Sequence, residues 1–452
     1  MTFDLHVALY YDLFKKLIFD CNSNENKMDK RFFNIFPGLT EEKAIALLEA
    51  PLEELEDKSD RYIAASHLVN FPSERSINAL INIIQDTNPV LEHKIARRKA
   101  IETLGRLNVT SALPIIRACL SDGDCYTVEN AVWAIGEIGT QDQEILAEIA
   151  QLLEKPGQSY RLIIQVLGKF NYKPAISKIQ QFTGSDDEPI ASAAIATICR
   201  LTGDYSQMTK VVEFLEHSNV NARRGCIQDL IDVKYYKSIP NIAKSPISLV
   251  FRLRGIRLLA EKGIPTAEIN FAEIEPFLDS VIRDHPSDLE LVHEYDQTPT
   301  LEFVIKELYS TDFGRCYLAS KTLLQEVDPE VAATALMATF AESAHNDYGA
   351  HYHVVKLLGW LKYVDAYDLL VEALNNTAPQ FQKSRGAAAL ALANLGDERA
   401  IPLLRESISN TRIFDLKYAC LLAFKQLGNS QVAELLVNDS DLLIQAKAKK
   451  MI

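Results

Sequence analysis

Apolar residues recur along most of this chain with the three-to-four-residue spacing of amphipathic helices. The spacing is clearest in VENAVWAIGEIG, residues 128–139. Ala131, Val132, Ile135, Ile138 and Gly139 fall on one side of that helix, a small apolar face fit for close packing. Tyr126, Glu129, Asn130, Trp133 and Glu137 fall on the other, where an indole sits among carboxylates. The same pattern returns in RYIAASHLVNF, RRKAIETLGRLN, YRLIIQVLGKFN, IASAAIATICRLTG, NARRGCIQDLI and FRLRGIRLLAEKG. Their central residues, Ala100, Ala131, Ile163, Ala194, Gly225 and Gly255, lie 31, 32, 31, 31 and 30 residues apart.

A fixed period of that size predicts a helical solenoid, because one helix pair cannot bury its apolar stripe alone and must stack on its neighbours. The expected fold is all-α, a right-handed superhelix of paired helices. Thr40 is placed to cap a helix EEKAIALLEA that ends before Pro51. Gly139, Gly203, Gly263 and Gly396 stand where helices should stop in a left-handed conformation. The period then loosens, and the next clear centre, Ala319, comes 64 residues after Gly255. Regular units resume at Ala319, Val354, Ala388 and Ala419. The expected organisation is an amphipathic extension over 1–27, a repeat block over 28–263, an irregular helical connection or degenerate repeat over 264–311, and a second block over 312–452.

Moving the Trp133 face by one period gives Arg98, Lys99, Glu102 and Arg106 before it, with His67 one repeat earlier, and Arg161, Gln165 and Lys169 after it. The same mapping on Val354 gives Tyr352, His353, Lys356 and Trp360, so both tryptophans of the chain are expected at open positions. A single charge there reads equally well as a solvated scaffold. The whole set offers a flat apolar surface beside carboxylates and guanidinium groups. That suits a planar ligand with protonatable ring nitrogens and anionic side groups.

Composition narrows the choices. A net charge of −14 argues against a general nucleic-acid binder. Seven scattered cysteines without a CxxC pair imply reduced thiols, and Cys125, just before the key helix, reads as a small filler or a reactive thiol. The N-terminal apolar run, broken by Asp12, Lys15 and Lys16, is neither a signal peptide nor a membrane span, and a cytoplasmic protein is expected. His285, Asp288, His293 and Asp296, and separately His345, His351 and His353, lack the spacing of a metal site, so no metal is expected. No phosphate loop, GxSxG, HExxH or dinucleotide fingerprint occurs.

The stretch RRKAIETLGRLNVTSALPIIRACLSDGDCYTVENAVWAIGEIGT, with LEDKSDRYIAASHLVNFPSERSINALI before it, resembles the E/F-type phycobilin lyases. These are HEAT-like-repeat proteins of cyanobacterial phycobilisome assembly, and the likeness covers residues 28–452 in the manner of the long single-chain members. The resemblance implies thioether attachment of phycoerythrobilin to a cysteine of a phycobiliprotein, the phycoerythrin α subunit. Close relatives also isomerise the bilin to phycourobilin. The implied partners are the bilin, the apo-subunit and a further lyase or chaperone of the same clan. No cofactor is implied, the bilin being the substrate. Under this resemblance Arg97, Arg98 or Arg161 clamps the propionates, Trp133 and Tyr126 press on the rings, and Glu129, Glu137 or Tyr126 supplies the proton. Asn130, Glu102, His67, Gln165, Tyr352, His353 and Trp360 complete the expected binding surface. The competing reading is a non-enzymatic HEAT-repeat chaperone for phycobiliprotein subunits.

Overall fold

The computed structural model describes residues 38–452, which form two compact units, 38–208 and 209–452. The extension expected over 1–27 lies outside the described residues. Among the described residues every regular element is helical.

The first unit contains α1 (Glu41–Glu49), α2 (Asp60–His67), α3 (Glu74–Gln85), α4 (Leu91–Arg106), α5 (Leu113–Ala118), α6 (Cys125–Ile138), α7 (Gln143–Gln151), α8 (Tyr160–Lys169), α9 (Ile176–Gln180) and α10 (Glu188–Thr202). They stack in two rows. Helices α2, α4, α6, α8 and α10 follow one another in the first row, and α3, α5, α7 and α9 each pair with a member of it. The repeat centres Ala100, Ala131, Ile163 and Ala194 are all buried between the rows. Thr40 caps α1, its hydroxyl accepting from Lys43 N. Gly139 and Gly203 end their helices with positive φ, as expected. Gly263 does not; it is the last residue of a regular helix, and its missing side chain is needed for space. A Cβ there would stand 2.7 Å from Ile269 Cγ1 and 2.9 Å from Tyr236.

The second unit contains α11 (Met208–Glu213), α12 (Val220–Asp232), α13 (Ile239–Lys244), α14 (Leu249–Gly263), α15 (Phe271–Arg283), α16 (Leu301–Glu307), α17 (Phe313–Gln325), α18 (Pro329–Glu342), α19 (Tyr348–Trp360), α20 (Tyr367–Asn375), α21 (Gln382–Leu395), α22 (Ala400–Asn410), α23 (Phe414–Gln426) and α24 (Leu442–Met451). Helices α17, α19, α21 and α23 form its main row, with Ala319, Val354, Ala388 and Ala419 buried at their centres.

The segment expected to be an irregular connection has a defined place. Helix α15 packs across α21, α23 and α24. Glu275 and Asp279, four residues apart on its surface, accept from Lys447, both at 2.7 Å. Tyr418 donates to Asp279 at 2.7 Å, and Lys450 pairs with Glu275. At the end of α15, Lys356 donates to the carbonyls of Ile282 and Arg283, and Tyr352 donates to Asp284. The two compact units divide at 208/209, so α14 and the 264–311 segment both belong to the second unit.

Helix α19 is consequently buried nearly all round. His351 and His353 are packed against Phe381, Phe313, Tyr317 and Tyr352. Burial pushes the His353 imidazole down to about 3 and the His351 imidazole to about 4. Both are neutral in the native protein and take up a proton near 6.5 once unfolded. Their contribution is complete above pH 6.5 and is lost as the pH falls towards 4, by up to about 1.4 kcal/mol per pH unit for each group. Urea titrations at pH 7 and pH 5 should show this drop in the unfolding free energy, and His353→Phe should reduce it.

Candidate functional site

The geometry of the candidate face starts from the helix α6 N-terminus. Asp124 caps it, accepting from the Thr127 amide at 3.0 Å and the Thr127 hydroxyl at 2.6 Å. The cap begins the helix three residues before the expected Val128 and brings Cys125 and Tyr126 onto it. Arg98, on α4, binds the same carboxylate through Nε and Nη2, both at 2.7 Å. Its guanidinium lies 4.9 Å over the Tyr126 ring. Although burial opposes its charge, Asp124 is held below the usual carboxylate range by Arg98 and Thr127.

One turn further along, a second set repeats this logic. Lys99 and Arg106 both donate to Glu102, at 2.5 and 2.8 Å. Glu102 is buried, and the two cations hold its carboxyl below the ordinary value despite that burial. Fixed in this way, Arg106 lies 5.8 Å from the Trp133 ring and Lys99 4.8 Å from the Tyr62 ring. Trp133 is half-buried, one side packed on the core. Helices α4 and α6 approach closely because residue 105 is glycine. A Cβ there would meet the Ala134 Cα and Cβ at 2.9 Å and Trp133 Cζ3 at 3.0 Å. Gly105→Ala should therefore cost about 1–3 kcal/mol in overpacking and displace the indole, read as a lower urea midpoint with a shifted tryptophan emission.

The exposed stripe of α6 is thus Tyr126, 58% exposed, then Glu129, Asn130 and Trp133, all half-buried, and exposed Glu137. This is the face the periodicity predicts. Glu137 pairs with Lys169 of α8 at 3.0 Å. The Asn130 side chain donates to the Tyr126 carbonyl at 2.8 Å. Glu129 has no hydrogen-bond or ion-pair partner among the described residues. Gln165 is half-buried on α8.

Other expected positions fall elsewhere. Arg97 turns into the fold, donating to the Ile84 carbonyl at 2.7 Å and pairing with Asp122. Arg161 donates to the Pro189 carbonyl. His67 is buried, its Nε2 2.7 Å from the Leu39 carbonyl oxygen, so it is a fold contact and not an open-face residue. Glu102 is buried, accepting from Lys99 and Arg106, and is not itself open. In the second unit Tyr352 and His353 are fully buried, and Trp360 is half-buried with His285 edge-on at 5.0 Å. The mapping onto Val354 fails because the 264–311 segment covers the face it assumed to be open. Arg106 borders the Trp133 ring, and Asp124, which the repeat pattern did not single out, fixes Arg98 over Tyr126.

None of the six cysteines Cys119, Cys125, Cys199, Cys226, Cys316 and Cys420 is in a disulfide, and Cys125 is exposed. No helix of the described residues is long and apolar enough to cross a membrane.

The family described as HEAT repeats matches residues 90–161 and 335–425. Phycocyanin operon protein Y of Pseudanabaena tenuis (strain PCC 7409) is 57% identical over 93% of this chain and 99% of its own length. Bilin biosynthesis protein CpeY of Synechococcus sp. (strain WH8020) is 34% identical over 88% of this chain and 98% of its own. Among solved structures, the complex of CpcE and CpcF of phycocyanin lyase from Nostoc sp. PCC7120 aligns with 57% of this chain at 25% identity and a TM-score of 0.46.

Proposed function

Because the chain belongs to the E/F-type HEAT-repeat phycobilin lyases, we propose that it attaches phycoerythrobilin to a cysteine of the phycoerythrin α subunit on the open face of α6. The family is one of bilin lyases, and the chain is an enzyme of that kind. The choice of bilin and subunit rests on the likeness to the long single-chain members and on the bilin biosynthesis protein among the relatives.

The observation that carries the site is the exposed stripe Tyr126, Glu129, Trp133 and Glu137, braced by Arg98 and Arg106. A tetrapyrrole lies flat on Trp133 and Tyr126, where ring faces bury apolar area. Arg106, whose position is set by Glu102, borders the indole and faces a propionate. Glu129 is the carboxylate not already committed to a cation. It is therefore the group best placed to exchange a proton with the bilin while the acceptor thiolate bonds to the ring A ethylidene carbon. The thiol proton ends on the conjugated system, so the addition is balanced without oxidant or reductant. Holding one bilin conformer against one cysteine gives one regioisomer, a gain from positioning.

The test is reconstitution from the purified protein, phycoerythrobilin and apo-phycoerythrin α subunit. One acid-stable chromophore on a single cysteine is expected. Subunit binding without covalent chromophore would instead mark a chaperone. The absorbance of the product separates attachment alone from attachment with isomerisation to phycourobilin.

A further inference from the structure

The exposed large apolar side chains of the first unit are Val90, Leu91, Tyr126 and Tyr205. The first three gather at one end of the α6 face. Arg98 meets Asp124 and Tyr126, and Gly105 meets Ala134, so α4 and α6 run parallel. Leu91 and Arg98 are seven residues apart on α4 and share one side of it. Leu91, 60% exposed, therefore stands about 10 Å beyond Arg98 along the helix. It continues the surface that Tyr126 begins, and half-buried Ile95 fills the space between.

Single exposed apolar residues are ordinary, but a contiguous group beside a binding face marks a contact. Neither Val90 nor Leu91 serves the helix it begins. Val90 holds the N-cap of α4, where Ser, Thr, Asp or Asn would bond the first-turn amides, and no side chain takes that role. Lys94, one turn along, is half-buried, and its ammonium makes no hydrogen bond or ion pair among the described residues. The corner thus offers two apolar side chains and a cation, all directed away from the core.

The attachment reaction requires two substrates to meet. The acceptor sulfur must come within bonding distance of ring A of a bilin lying on α6, so the subunit has to cover the rim of that face. The Val90–Leu91 corner is the apolar surface continuous with that rim.

We propose that this corner of α4 docks the apo-phycobiliprotein subunit, receiving an apolar ridge bordered by a carboxylate close to the acceptor cysteine. The inference rests on the placement of the bilin on α6. Leu91 is the anchor buried by the partner. Lys94 is the charge that steers its approach. The docked subunit covers Tyr126 and so closes the bilin face against water.

The test measures binding of apo-phycoerythrin α subunit to the full chain without bilin, beside a phycoerythrobilin titration of the same variants. Leu91→Glu should bind the subunit at least ~10-fold more weakly and the bilin with the wild-type Kd. In attachment assays its KM for the subunit should rise while turnover at saturation holds. Leu91→Met should keep the wild-type subunit affinity, and Lys94→Glu should slow association, most at low salt. Wild-type subunit affinity in Leu91→Glu would overturn the docking corner and leave the bilin site standing. Equal loss of bilin and subunit affinity would also overturn it, since Leu91 would then belong to the bilin face. A wild-type protein that neither binds nor attaches the bilin would overturn the α6 placement itself, and this inference with it.

Discussion

Glu129→Gln should lower the turnover of bilin attachment by about 10²–10⁴-fold while leaving bilin affinity nearly unchanged. The glutamine keeps the size and polarity of the side chain but cannot exchange a proton. Glu129 is half-buried on the exposed stripe of α6, between Tyr126 and Trp133, and no cation holds it in place. Glu137 is different, because Lys169 already engages it at 3.0 Å. Glu137→Gln should therefore weaken binding modestly and spare turnover. Single-turnover attachment measured beside bilin titration separates the two effects. Undiminished turnover in Glu129→Gln would show that Glu129 is not the proton donor.

Asp284→Ala should destabilise the protein by about 3–5 kcal/mol, the usual consequence of removing one partner of a buried ion pair. The carboxylate is fully buried and receives Arg252, Tyr317 and Tyr352, all of which would be left without it. Burial alone would raise its pKa, but Arg252 and Lys356 outweigh burial and hold it below the usual range. Its contribution is thus complete above the ordinary carboxylate value of about 3.9. It is lost as the pH falls from there through the lower native value. Replacing both partners, as Arg252→Met with Asp284→Leu, should recover only part of the stability, because Lys356 and the Tyr317 and Tyr352 hydroxyls still lose Asp284. Urea unfolding of the single and double variants measures this directly.

The repeat centres and the α6 stripe were legible because both depend on local periodicity. Ala100, Ala131, Ile163 and Ala194 recur at nearly constant spacing and are all buried. Tyr126 and Trp133 follow from the helix register alone. What the sequence hid depends on contacts distant along the chain. Tyr352 donates to Asp284 just beyond α15, and His353 packs against Phe313 and Tyr317 of α17, so both are core residues although their register matched the open face. A trace of this was present: Lys356 interrupts the otherwise apolar run VVKLLGW, and a buried lysine needs a partner from elsewhere. Arg97 and Arg161 donate to backbone carbonyls for a related reason. A long guanidinium side chain reaches the backbone carbonyls of a neighbouring segment as readily as solvent, and periodicity does not distinguish the two.

The central claim is that the bilin lies on the α6 face of the first unit. The chain's two tryptophans, Trp133 and Trp360, allow the most direct measurement, a phycoerythrobilin titration followed by bilin absorbance. Wild type and Trp360→Phe should bind with the same Kd, and Trp133→Ala should bind at least ~10-fold more weakly, as loss of a ring-stacking surface implies. Unchanged affinity in Trp133→Ala together with weakened binding in Trp360→Phe would contradict the account.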